Sequence, residues 1–312
     1  MRDRDSDWAT LSAAHLLDRR AFLGTVGMAA LGCSMSKEDD GKVPAADTSA
    51  QVGVRDQTGT RTLDRIGVQL YTLRDDMEKD LEGTLARVAA IGYKDVEFAG
   101  YFTHSAADIR RILDKNGLRA PAAHIGTPAA LTKDWDKMLD NAKVAGHDYL
   151  IVAYLTDEER RSLDDYRKHA DLFNKAGETA KKAGVRLAYH NHDFEFVRKE
   201  DKVPYDILLE RTDPALVAME LDLFWITKSG NNPQAYFERY PGRFELVHVK
   251  DMDASPEQRM VDVGKGSINF AQIFAQREKA GIRHFMVEHD NPQPSALESV
   301  KASYEYLSRL KY

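Results

Sequence analysis

The chain has 312 residues, 43% of them hydrophobic, enough to bury a sizeable core and too many for a mainly disordered protein. Its formal net charge of -6 gives no broad attraction to phosphate backbones and sets nucleic-acid partners aside. The single cysteine, Cys33, excludes an internal disulfide framework and a cysteine-based structural zinc site.

From the N-terminus, Asp18-Arg19-Arg20-Ala21-Phe22-Leu23-Gly24 leads into a weakly apolar run that ends at Cys33. Twin arginines before a short, mild apolar stretch resemble a twin-arginine export signal, and the run is far shorter than the roughly 20 apolar residues that span a bilayer. Residues 1–33 therefore read as a targeting segment, which implies a periplasmic location. Ala30-Leu31-Gly32-Cys33 also resembles a lipoprotein cleavage box, with alanine where leucine is usual. Lipidation of Cys33 would tether the protein to a membrane surface. Residues 34–64 are rich in Ser, Thr, Gly, Asp and Lys and read as a flexible linker. The folded domain is expected over 65–312.

Eight short runs rich in apolar and β-branched residues follow: 66–71, 95–99, 119–125, 149–154, 186–190, 217–221, 245–249 and 284–288. Helical periodicity fills the gaps, and five of these stretches close on a glycine just before the next run: Gly92, Gly117, Gly146, Gly184 and Gly281. Glycine there accepts the left-handed conformation that ends a helix. From Gln69 through Glu97, His124, Tyr154, His190, Asp222 and His248 to Glu288 the steps are 28, 27, 30, 36, 32, 26 and 40 residues. These match strand-helix-strand units of about 30 residues, and eight of them in one domain predict a (β/α)8 TIM barrel. An open doubly wound sheet would carry a glycine-rich phosphate turn after its first strand, and none follows here.

In such barrels catalytic residues sit at the C-terminal strand ends, so the ends that turn polar are the candidates. They offer Gln69 and Arg74 after the first run, Glu97, His124 and Tyr154 after the next three, and His190-Asn191-His192 with Glu195 after the fifth. Asp222 and Trp225 follow the sixth run, His248 and Lys250 the seventh, and Glu288 the eighth. Carboxylates and imidazoles converging on one mouth suit a divalent ion such as Mn2+, Co2+, Mg2+ or Zn2+; the bland alternative is a hydrogen-bonded network without metal. Gln69, Arg74, Glu97, His124, Tyr154 and Trp225 are candidates for substrate contact.

The phrases Gly-Val-Gln-Leu-Tyr-Thr-Leu-Arg, Tyr-His-Asn-His-Asp-Phe-Glu-Phe, Glu-Leu-Asp, His-Val-Lys-Asp and Val-Glu-His, in this order, resemble the strand signatures of the sugar phosphate isomerase/epimerase superfamily, or xylose isomerase-like barrels. The resemblance covers about residues 65–312. It implies one divalent metal held by residues from strands five to eight. Asp222, His248 and Glu288 match three of these, and the strand-five ligand is either His190 or Glu195. It further implies a carbohydrate substrate and proton abstraction next to a carbonyl, hence an isomerase or epimerase. Many relatives have a glutamate where this chain has His190. That departure puts the usual two-glutamate proton exchange in doubt and opens the alternative of a lyase or dehydratase acting on keto-sugars or 3-keto-glycosides. His190, His192, Lys250 and Glu288 are then the catalytic candidates, with Lys250 and Arg74 able to hold hydroxyl or acidic groups. A barrel that binds carbohydrate without turning it over is the alternative from another class.

Overall fold

The computed structural model describes residues 59–312. The expected export segment, Cys33 and most of the expected linker lie outside the described residues.

Eight parallel strands close into a barrel: β1 (Gly67–Gln69), β2 (Asp95–Phe98), β3 (Arg119–His124), β4 (Tyr149–Val152), β5 (Arg186–His190), β6 (Val217–Asp222), β7 (Phe244–Val249) and β10 (His284–Val287). Each pairs with the next in that order, and β10 returns to β1 through Gly67↔Met286. All eight runs expected from sequence are strands. The ends differ by a few residues, because expected strand positions such as Leu70 and Tyr71 belong to the 3-10 turn Leu70–Leu73 that Gln69 caps.

The helices end as expected. The backbone is left-handed at Gly184, which closes the long helix Leu163–Ala183, and at Gly281, which closes Arg277–Ala280. The long helix starts with a reciprocal cap: Ser162 Oγ accepts from the Asp165 N–H at 3.2 Å, and Asp165 Oδ2 accepts from the Ser162 N–H at 2.9 Å. Leu163, Tyr166, Ala170, Phe173, Ala176 and Ala180, at helical spacing, form its buried face.

Two features depart from the expected layout. Packing begins before the expected domain start: Leu63 is in the core, and the backbone of Arg61 exchanges both hydrogen bonds with Tyr312. A hairpin, β8 (Asp251–Met252) with β9 (Met260–Val261), was not foreseen. Its strands of two residues are too short to show alternation. Asp251 holds it: its buried carboxylate accepts from the backbone N–H groups of Met252, Gly264, Gly266 and Ile268.

The barrel interior changes character along its axis. Ala122, Ala188, Ala218 and Leu246 belong to a small apolar group apart from the main core. Two residues further along the same strands stand His124, His190, Glu220 and His248. Residues two apart on a strand share a face, so apolar filling gives way to a polar layer at the C-terminal end. Asp222 and Lys250 repeat the step.

Candidate metal centre

Two groups among the described residues offer four ligand atoms within 4.8 Å of one another. The outer group is His190, Asp222, His248 and Glu288, and the inner one is Glu97, His124, Glu220 and His248. His248 belongs to both.

The outer group is built from strand ends. Asp222 also starts the short helix Leu223–Lys228: its Oδ1 accepts from the N–H groups of Phe224 at 2.9 Å and Trp225 at 2.8 Å. That fixes the carboxylate and turns Oδ2 into the barrel mouth, 3.4 Å from His190 Nε2 and 3.0 Å from Lys250 Nζ. Its own N–H donates to Asn191 Oδ1 at 3.1 Å, tying strand five to strand six. Glu288 Oε2 lies 2.7 Å from His248 Nδ1 and 2.7 Å from Lys250 Nζ. Lys250 is itself buried and also meets Asp290 Oδ1 at 2.9 Å.

These groups hold one another's charge. Burial works against the carboxylate of Glu288, but Lys250 and His248 outweigh it and hold its pKa well below the usual range. Asp222 is lowered in the same way, chiefly by Lys250 against its burial. At Asp290 burial wins, and its pKa rises despite the nearby ammonium. Burial also opposes charge on Lys250, yet Asp222, Asp290 and Glu288 raise its pKa well above that of a free lysine. His248 Nδ1, fully buried, faces the outer group 2.7 Å from Glu288 Oε2 but out of line for a hydrogen bond to it. An orphaned imidazole nitrogen beside two carboxylate oxygens and a second imidazole is a donor set that fits a divalent metal, most readily a transition ion.

Below it, Glu97 Oε1 accepts from His248 Nε2 at 2.8 Å and from Gln69 Nε2 at 2.5 Å. Glu220 Oε2 accepts from His124 Nε2 at 2.8 Å. Burial opposes charge on His124, but Glu97 and Glu220 raise its pKa to about 9.

Beside the outer group lies an aromatic wall. His192 stacks on Phe194 with ring centroids 5.4 Å apart, meets Tyr154 edge-on at 5.2 Å and lies 5.7 Å from Trp225. Its Nδ1 and the Trp225 Nε1 are buried without a hydrogen-bond partner. Burial, with His190 and Lys250 adding to it, pushes the His192 pKa well below the ordinary value, so the ring is a neutral base. Arg74 lies over the ring of Tyr71 and is bonded to its carbonyl oxygen at 2.8 Å.

The sequence candidates thus divide. His190, Asp222, His248, Glu288 and Lys250 converge, and Gln69, Glu97 and His124 form the layer beneath. Tyr154, His192 and Trp225 line the wall. Glu195 is the departure: its oxygens accept from the Tyr189 hydroxyl and from the His192 N–H at 2.9 Å, and it is absent from both groups. The one-turn 3-10 helix Phe194–Phe196 swings it into the core behind strand five, so His190 takes the place next to Asp222. Glu220 and Asp290 had no role in the sequence reading. Their signal was the two-residue offset from Asp222 and Glu288, which puts both carboxylates on the face already marked.

Residues 85–310 match the xylose isomerase-like TIM barrel family. An inosose dehydratase from Bacillus anthracis is 31% identical over 216 residues, covering 61% of this chain and 70% of that one. A crystal structure of a sugar phosphate isomerase/epimerase from Parabacteroides distasonis superposes with a TM-score of 0.69 at 28% identity, over 85% of this chain and 98% of that one. The IOLI protein, solved with a bound zinc atom, shares the fold with a TM-score of 0.64 at 16% identity, over 80% of this chain and 99% of that one. With the closed barrel and a match over most of its length, the chain belongs to the xylose isomerase-like TIM barrel family.

Proposed function

We propose that the protein is a divalent-metal-dependent lyase that removes a proton next to the carbonyl of a keto-sugar and expels a substituent one carbon further on. The observation that carries this is the outer group: four buried ligand atoms at the barrel mouth, three of them on Asp222, His248 and Glu288, with the ammonium of Lys250 against two of them. When bound there, the metal would act as a Lewis acid on the substrate oxygens and lower the cost of an enolate. The IOLI barrel with its zinc supports such an ion.

The remaining chemistry falls to the chain. Neutral His192, its Nδ1 unpartnered and its ring beside His190, accepts the proton from the α-carbon. The C–H electron pair forms the new double bond, and the bond from the neighbouring carbon to the leaving oxygen breaks. That oxygen takes the proton back from the His192 imidazolium and departs as water or an alcohol, which restores the neutral base. Lys250 sets positive charge beside the developing oxyanion. Tyr154 and Trp225 supply faces for a sugar ring, and the partnerless Trp225 N–H donates to one of its hydroxyls.

Elimination is favoured over epimerisation because strand five presents His190 rather than a glutamate, leaving Glu288 alone among the four ligands as a glutamate. The related inosose dehydratase supports the same choice. Isomerisation or epimerisation is the second reading, supported by the Parabacteroides relative. Export rests on Arg19-Arg20 and the apolar run alone. We place the enzyme outside the cytoplasm on that basis, with a lipid tether if Cys33 is acylated.

The test is a screen of metal-loaded protein against free ketoses, keto-inositols and 3-keto-glycosides, with products followed by NMR. An unsaturated product is expected. Asp222→Ala and Glu288→Ala should abolish both metal retention and turnover. His192→Asn should keep the metal and lose roughly 100- to 10,000-fold in kcat. Full activity in either of the first two variants, or in chelator-stripped protein, sinks the proposal.

A further inference from the structure

His248 is the single residue shared by the two clusters, and its two ring nitrogens face different ways. Nδ1 lies 2.7 Å from Glu288 Oε2, in the outer group. Nε2 lies 2.8 Å from Glu97 Oε1 and 3.1 Å from Glu220 Oε2, in the inner one. His124 Nε2 completes a square with the same two oxygens, at 3.1 Å and 2.8 Å. The square alternates nitrogen and oxygen, and both glutamates are fully buried. Carboxylate oxygens only accept, so each Nε2 carries a hydrogen. Gln69 Nε2 donates to Glu97 at 2.5 Å and helps to fix it.

We propose that Glu97 and Glu220 are positioning residues for the metal: they hold the proton of His248 on Nε2, fix the ring plane and leave Nδ1 as the ligand atom. This rests on the metal centre argued above. A ligating histidine that gives its other N–H to a carboxylate is fixed in tautomer and orientation and becomes a more basic ligand, and loss of that partner costs about 10- to 100-fold in metal affinity. The inner square is therefore held together by protons. Its four atoms could also receive a second cation, but that would strip the hydrogens from both Nε2 atoms and make His248 a bridge between two metals. The inner square thus predicts one metal per chain.

The experiment uses the full chain. Metal-free protein is titrated with Co2+, reading the visible absorption bands and the dissociation constant, and metal content is measured by elemental analysis. One equivalent per chain is expected. Glu97→Gln and Glu220→Gln should remain folded by circular dichroism, bind Co2+ about 10- to 100-fold more weakly and shift the visible bands, because the bond from His248 changes. The double variant should be weaker than either. If a glutamine variant does not fold, Glu97→Asp and Glu220→Asp, which keep the charge and withdraw the oxygen by one methylene, carry the same comparison. Folded variants whose affinity stays within threefold of the parent, with unmoved bands, would show a merely structural role and overturn the proposal, as would two equivalents of Co2+ per chain. Unchanged Co2+ binding in Asp222→Ala and Glu288→Ala would instead remove the metal centre itself, so the two failures are distinguishable.

Discussion

Glu195 shows how much a single buried group governs around the site. It is fully buried behind strand five, where burial raises its pKa to about 8 against the pull of the Tyr189 hydroxyl and the His192 N–H. In the native state near neutral pH the carboxyl is protonated, whereas in the unfolded chain it ionises near its ordinary value. The folded form thus holds the extra proton. Its contribution to stability is complete below about pH 4.5 and is lost as pH rises through about 8. At about 1.4 kcal/mol per unit, roughly 3 kcal/mol disappears between pH 5 and pH 8. Glu195→Gln keeps an acceptor oxygen for the His192 N–H, presents an NH2 from which the Tyr189 hydroxyl can accept, and cannot ionise. Urea unfolding at several pH values should show the parent losing about that much more stability than the variant over the interval. Equal slopes would mean that the carboxyl stays ionised in the native protein. Sequence alone left Glu195 and His190 as alternative ligands, since the spacing between them reads the same whether the chain continues straight or turns.

At the scale of elements, the glycines that close helices were legible because the requirement is local: a left-handed residue at the helix end. What sequence could not show is what surrounds each one. At Gly184, φ is +79° and an added methyl would meet nothing within 4 Å. At Gly281, φ is +89° and the same methyl would sit 2.9 Å from the Cα of Gly242, a backbone atom that cannot swing aside. Both substitutions incur the left-handed penalty of about 1–2 kcal/mol. Gly281→Ala should cost at least about 1 kcal/mol more than Gly184→Ala, since the backbone at Gly242 must also shift. Denaturant midpoints of the two variants measure the difference, and equal losses would mean that the Gly242 turn yields freely. The strands were legible for a related reason. Burial on both faces leaves continuous apolar runs such as Tyr149–Val152, ending where polar side chains begin. The hairpin of Asp251–Met252 with Met260–Val261 gave no such run, because four backbone bonds to the Asp251 carboxylate hold its loop rather than an apolar face.

Across the whole molecule, the four outer ligands come from β5, β6, β7 and the residue after β10, so the site exists only when the barrel is closed. A ligand that binds the folded chain alone stabilises it, by about 2.7 kcal/mol at a concentration one hundred times its dissociation constant. For a domain of this size each kcal/mol moves the melting temperature by roughly 2–4 °C, so saturating metal should raise it by about 5–10 °C. Lys250 sets the other limit. With its ammonium against Asp222, Glu288 and Asp290, the carboxylates are compensated before any metal arrives, and the metal-free chain should melt cooperatively. Lys250→Met removes that compensation and leaves the buried carboxylates of Asp222 and Glu288 facing each other and the half-buried Asp290, a loss of about 3–5 kcal/mol in the metal-free state. Added metal restores positive charge at two of the three, so the gap in melting temperature between metal-free and metal-loaded protein should be wider in Lys250→Met than in the parent. Calorimetry with and without chelator reads both gaps. A parent whose melting temperature ignores metal would show that no ion binds the closed barrel, and an unwidened gap in the variant would show that Lys250 and the ion do not share the same charges.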